Sequence, residues 1–177
     1  WLSERIVEDF LFYAETCFKA FGDRVRLWTT INEPWTVCTS GYESGVMAPG
    51  RCSDRNRCAL GDSATEPYLA GHNMLLAHAR VVALYREKYA AWAPHGHHGT
   101  GSPHVSTPRG QIGMVLNHEW AEPFSLEMDD VAAAQRRNEW YIGWFADPLV
   151  FGRYPESMRK KLLSRLPEFT ERQSHLL

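Results

Sequence analysis

The run Val25-Arg26-Leu27-Trp28-Thr29-Thr30-Ile31, closed by Asn32-Glu33-Pro34, constrains the fold of this chain more than any other stretch. A short apolar run with β-branched and aromatic residues reads as a buried parallel strand. Pro34 forbids its continuation, because proline has no N–H for the ladder and biases Glu33 toward an extended backbone. Asn32 and Glu33 are therefore predicted at a strand end. An Asn-Glu-Pro tripeptide alone is often only a surface turn. The context sets this one apart: an apolar strand before it, a long loop after it, and alternating helix and strand beyond. A carboxylate at the C-terminal tip of a barrel strand points into the active-site mouth.

The alternation can be followed along the chain. Ser3 can cap a helix running to about Phe21, with Gly22 as its stop. Its apolar stripe is Ile6, Phe10, Ala14, Cys17, Phe18 and Phe21. Residues 34–64 form an excursion rich in Gly, Ser and Pro, where a βα connection usually takes about 2–6 residues. Such loops shape substrate clefts. Thr65 caps the next helix, with Pro67 in its first turn. Ala70, Met74, Ala77, Val81, Leu84 and Tyr85 give that helix an inward face. Residues 111–117 make a second strand, with His118, Glu119 and Trp120 at its tip. Asp129 can cap a helix that ends at Asp147 before Pro148, and a shorter helix begins near Pro155. Consecutive βα units of a parallel sheet, an α/β fold, are the reading.

Composition excludes some classes. Hydrophobic residues are 44% and charged residues 23%, ordinary for a soluble globular chain. The net charge of −2 implies no nucleic-acid partner. No apolar run approaches the roughly 18 residues of a membrane span. Cys17 and Cys38 read as small buried hydrophobes. Cys52 and Cys58 flank the polar loop 53–57, and their spacing is a weak zinc motif because no second ligand pair stands near. His95, His97, His98 and His104 fall in a Pro- and Gly-bearing stretch that reads as a solvated insertion, not a metal site. His72 and His78 read as satisfied structural histidines. Trp28, Trp35, Trp120, Trp140 and Trp144 read as packing aromatics, Trp35 being the candidate exception because it adjoins Glu33. Arg24 and Arg26 flank the first strand, where either could anchor an ion pair.

Thr30-Ile31-Asn32-Glu33-Pro34-Trp35 resembles the acid/base motif of glycoside hydrolase family 1, the β-glucosidase family. Further blocks resemble that family in the same order: Gly41-Tyr42, Ala48-Pro49-Gly50-Arg51-Cys52-Ser53, Thr65-Glu66-Pro67-Tyr68 and Leu75-Leu76-Ala77-His78-Ala79. Gly143-Trp144-Phe145-Ala146-Asp147-Pro148-Leu149, Gly152-Arg153-Tyr154-Pro155-Glu156-Ser157-Met158 and Arg165-Leu166-Pro167-Glu168-Phe169 follow. The flavour is that of the plant-type β-glucosidases. The resemblance implies a (β/α)8 TIM barrel and a retaining β-glycosidase, with a small β-glycoside or oligosaccharide as partner. Neither cofactor nor metal is implied.

Such a barrel needs roughly 250 residues, whereas this chain has 177. It begins at Trp1 without an initiator Met and stops at Leu177 within an apparent helix. Residues 1–177 are thus expected to be the central fragment of one barrel domain, from its third helix to just before its sixth strand. By the resemblance Glu33 is the general acid/base and Asn32 hydrogen-bonds the sugar 2-hydroxyl. The catalytic carboxyls of retaining enzymes stand about 5–5.5 Å apart. An acid that holds its proton near neutrality needs a partly apolar pocket or a neighbouring carboxylate. Thr36, Ser40 and Met47 match positions lining the aglycone site, and Glu119 matches a substrate-contacting position on the same side. Glu119 also stands near the tip of the adjacent strand, within possible reach of Glu33. Cys52 and Cys58 resemble the loop disulfide of plant-type members, whose closure contributes roughly 2 kcal/mol at most. That bridge would favour a secreted, vacuolar or plastid location. The family's nucleophile motif, Thr-Glu-Asn-Gly, is absent from the chain, as are the residues that grip the glycone. The isolated chain is therefore expected to be inactive. Alternatives are a catalytically dead relative acting as a binding module, or another specificity such as galactosidase, thioglucosidase or phospho-β-glucosidase.

Overall fold

Residues 1–90 and 110–177 are described by a computed structural model of the chain. The stretch carrying His95, His97, His98 and His104 lies outside the described residues. Helix α1 spans Arg5–Phe21. Glu4 takes the N-cap position, while Ser3 serves the same end from one residue earlier, its Oγ accepting the Arg5 N–H at 3.3 Å. Gly22 closes the helix, donating its N–H to the Phe18 carbonyl. The buried face is Val7, Ala14 and Phe18, while Phe21 is exposed. The predicted stripe thus holds at Ile6, Phe10, Ala14, Cys17 and Phe18, with Val7 added and Phe21 left outside it.

Strand β1 (Leu27–Asn32) and strand β2 (Gln111–Val115) pair in parallel, Leu27 with Gln111 and Asn32 with Val115. Both are shorter than predicted. The Val25 N–H bonds back to the Phe21 carbonyl, so the turn after α1 claims the residue that would have opened the strand. The register slips between Thr29 and Asn32. Trp28 and Thr30 lean toward the helices, but Ile31 rather than Asn32 is the next buried residue. This irregularity reverses the facing of the strand end, burying Ile31 and turning Asn32 outward.

The crossover between the strands runs through helix α2 (Pro34–Cys38), a π-helical turn (Thr39–Glu43), a long loop and helix α3 (Glu66–Lys88). Every residue of α3 from Ala70 to Ala79 is buried. An inward face alone was predicted. The helix is instead enclosed, because α1, α2, both strands and two later helices, Trp144–Phe151 and Glu171–Leu176, all pack on it. His72 and His78 lie on this helix as structural residues. His72 Nδ1 is 3.0 Å from the Tyr154 hydroxyl and its ring stacks on Phe169. His78 Nδ1 is 2.7 Å from Thr30 Oγ1. Burial holds both imidazoles down, to about 4.

Helix α4 is Met128–Asn138, followed by a π-helical turn (Glu139–Gly143) and helix α5 (Trp144–Phe151). Two expectations are corrected here. Glu127, with an extended backbone, is the N-cap in place of Asp129, and Ser125 Oγ takes the Glu127 N–H at 3.2 Å. The helical run does not stop at Asp147 but carries Pro148 inside α5 and ends at Gly152, whose φ is 68°. Pro148 therefore stands inside the helix, where the bond its missing N–H would have made to the Trp144 carbonyl is forgone. Helix α6 (Glu156–Leu162) begins beside Pro155 as predicted, and helix α7 (Glu171–Leu176) carries a Thr170–Gln173 capping box. The main core gathers Met74, Leu75, Trp144, Phe145 and Met158 around Ile31 and Cys38. A second cluster, Ala14, Phe18, Val81 and Tyr85, packs against Trp28 and Ile112. The packing thus fixes the C-terminal end of β1 from below. Arg24 pairs with Asp23 at 2.9 Å on the surface, not with a strand partner.

Candidate active site

Glu33 sits where strand passes to helix. Its N–H completes the ladder by bonding the Val115 carbonyl at 2.9 Å, and its own carbonyl accepts the Val37 N–H at 3.2 Å to open α2. One residue must therefore reverse the chain. Glu33 does so in the left-handed region, with φ 46° and ψ 60°, and not in the extended conformation that Pro34 favours. For a residue with a Cβ this costs roughly 1–3 kcal/mol and persists only where the surroundings impose it. The surroundings here are the buried anchors Pro34 and Cys38 on α2 and Ile31 on β1. Burial also raises the Cys38 thiol far above its ordinary value, which keeps it a neutral packing group.

The carboxylate is half-buried and enters a chain of hydrogen bonds. Thr36 Oγ1 donates to Glu33 Oε2 at 3.2 Å. Asn117 Nδ2 donates to Thr36 Oγ1 at 3.0 Å and to the Tyr141 hydroxyl at 3.1 Å. Tyr141 stacks on Trp35, with ring centroids 3.9 Å apart and planes within 10°. The Arg137 guanidinium lies over the Tyr141 ring at 4.6 Å and is 5.8 Å from the centre of the Trp35 ring. Trp35 is thus part of the wall beside Glu33.

The other predicted residues fall into place unequally. Asn32 adjoins Glu33 and is exposed. Ser40 follows one turn after Thr36, in the π-helical turn. Its carbonyl accepts the Met47 N–H at 3.0 Å, which tethers Met47 to the same side while its side chain stays exposed. Glu119 is 80% exposed and pairs with Arg137 at 3.7 Å, so it is linked to the site through Arg137. Asn117, Tyr141 and Arg137 were not singled out from the sequence. Asn117 had a signal: it ends an apolar run just as Asn32 does. Tyr141 had none, since its placement depends on the π-helical turn.

The loop after α2 is knitted rigidly. Cys52 and Cys58 are joined by a disulfide, and Ser44 bridges to Cys52. Arg51 grips Glu66 at the head of α3 with two bonds of 2.9 and 2.6 Å, which holds the Glu66 carboxyl below its usual range. Among the described residues no group of three or more His, Cys, Asp or Glu stands close enough to hold a metal.

The family profile described as Glycosyl hydrolase family 1 matches residues 1–177. Beta-glucosidase 11 of Oryza sativa subsp. japonica is 48% identical over 179 residues, covering 100% of this chain and 31% of its own length. Furcatin hydrolase of Viburnum furcatum is 49% identical over 177 residues, with 100% and 30% covered. The chain therefore spans about a third of the length of these relatives. A crystal structure of a rice beta-glucosidase superposes with a TM-score of 0.88 at 45% identity, covering 99% of this chain and 34% of that one. A family 1 beta-glucosidase from the fungus Humicola insolens, in complex with glucose, gives 0.86 at 42% identity, with 99% and 34% covered.

Proposed function

The chain belongs to glycosyl hydrolase family 1, and from that premise we propose that the full-length protein is a retaining β-glucosidase with Glu33 as its general acid/base. Residues 1–177 supply the part of its (β/α)8 barrel from the third helix to just before the sixth strand, and a carboxylate outside them is the nucleophile. Glu33 protonates the departing glycosidic oxygen while the nucleophile attacks the anomeric carbon. It then takes a proton from the water that releases the sugar. Asn32 hydrogen-bonds the sugar 2-hydroxyl. Thr36, Ser40, Met47 and Glu119 border the aglycone. The observation that carries this reading is the Glu33 carboxylate held at a strand end, 3.2 Å from Thr36 Oγ1.

Glu33→Gln in the full-length protein tests it. The substitution removes proton donation, so kcat/KM for a poor leaving group such as a glucosyl unit of cellobiose should fall by about 10² to 10⁴. A nitrophenolate leaves with little help, so its first step should suffer less. Water must still be activated by the missing residue, so a glycosyl-enzyme should accumulate and give a burst of nitrophenol. Equal loss on both substrates without a burst would refute the assignment. An unaltered full-length protein that binds a nitrophenyl β-glucoside but releases no nitrophenol would instead be a binding module.

A further inference from the structure

We infer that Thr36 is a positioning residue for Glu33, its hydroxyl directed by Asn117 so that one carboxylate oxygen is occupied and the other is left to carry the catalytic proton. The inference rests on the reading of Glu33 as the acid/base.

The argument is one of donor and acceptor arithmetic. A threonine hydroxyl has one proton and two lone pairs. Asn117 Nδ2 donates into Thr36 Oγ1 at 3.0 Å. The Thr36 proton is then free to go to Glu33 Oε2, 3.2 Å away. Asn117 is itself held, because its second N–H goes to the Tyr141 hydroxyl at 3.1 Å, and Tyr141 stacks on Trp35 with Arg137 beside both rings. Three segments thus converge: α2 brings Thr36, the chain just beyond β2 brings Asn117, and the π-helical turn brings Tyr141.

The consequence is a choice between the two oxygens of Glu33. A hydrogen bond donated to a carboxylate favours its charged form. Oε2, as acceptor from Thr36, is the oxygen that does not hold the proton. Oε1 carries it toward the leaving group and receives it back from water. The charged and titratable groups around this chain are Arg137 and Tyr141 from the run that follows β2, and His118 and Glu119 from the end of β2. Arg137 and Glu119 offset each other at 3.7 Å. His118 meets the Tyr141 ring edge-on, 5.4 Å between centroids. From α2 itself only the buried Cys38 titrates, and on α3 His78 bonds Thr30.

The test compares Thr36→Val, Thr36→Ser and Asn117→Ala in the full-length enzyme, following kcat/KM against pH with a nitrophenyl β-glucoside. Valine keeps the shape and loses the donor, so the carboxylate is less stabilised and the proton is held to higher pH. The alkaline limb should move to higher pH, the direction expected on losing a hydrogen bond to a charged group. Serine should restore the parent profile. Asn117→Ala frees the Thr36 hydroxyl to rotate, and should move the limb the same way by less. A fall in rate at every pH with the limb unmoved, or a serine variant that behaves like valine, would overturn the inference. The Glu33→Gln burst experiment is independent: if it succeeds while the limb stays fixed, only the role of Thr36 and Asn117 falls.

Discussion

His72 and His78 place two imidazoles inside the enclosed helix α3, each bonded to a neutral hydroxyl. Both are held down to about 4 by burial. In the unfolded chain they take up protons near pH 6.5. The unfolded state therefore binds more protons between about pH 6.5 and 4, and stability falls as pH falls through that window. Above it the contribution is fully present. A shift of this size corresponds to roughly 3 kcal/mol per histidine at most. Urea midpoints of the full-length protein should drop between about pH 6.5 and 4.5, and His78→Gln should flatten the slope by about half. A midpoint independent of pH over that range would show that neither site stays neutral in the fold. At the same scale, the strand-end placement of Asn32 and Glu33 was legible because a polar pair closing an apolar run before proline is a local signal. The left-handed backbone of Glu33 was not, since the ladder bond to Val115 outweighs the local preference imposed by Pro34.

The loop between α2 and α3 behaves as an element in its own right. Gly45 has φ 69°, and a Cβ there would overlap Cys58 Sγ and stand 3.3 Å from Cys52 Sγ. Gly45→Ala should therefore be doubly unfavourable, through backbone strain and through displacement of the bridge. A loss of about 1–3 kcal/mol should appear as a lower unfolding midpoint and faster proteolysis within residues 44–64. An alanine variant as stable as the parent would show that the bridge does not pack there. Peptide mapping of unreduced protein should find Cys52 linked to Cys58, and two alkylatable thiols would contradict the linkage. The pairing was legible only through resemblance, as C-x5-C spacing alone does not choose between metal and bridge. Helices and strands were read from periodicity in the right order, except that α2 and the π-helical turn after it stand in what read as loop. The errors lie where one element depends on another. On α1 only Phe21 falls outside its stripe, whereas α3, read with one inward face, is buried all round from Ala70 to Ala79 by neighbours far away in sequence. The α5 reading failed because Pro148, read as a stop, is carried inside a helix that ends at Gly152.

At the scale of the whole molecule, the described residues contain one two-stranded parallel sheet, and each strand has an unpaired outer edge. Parallel sheets are stable when both faces and both edges are covered. Here Leu27 is 73% exposed and Val115 42%, on strands that carry the candidate site. Beyond β2, Trp120, Phe124, Leu126 and Met128 stand between 71% and 97% exposed. Residues of these types, exposed together, mark surfaces that another part of a protein covers. In relatives about three times as long, further chain is available to do so. Residues 1–177 made alone should accordingly show helix in the far ultraviolet but little cooperative tertiary structure. They should associate in solution and release no nitrophenol from a β-glucoside above the blank. Supplying the remaining barrel units in trans should improve all three properties together, since the same surfaces govern them. A monomer with a sharp thermal transition and dispersed amide resonances would show that α3, enclosed by its own neighbours, is core enough. Hydrolysis by that monomer would go further and place a second carboxylate of this chain, Glu119 first, within reach of Glu33.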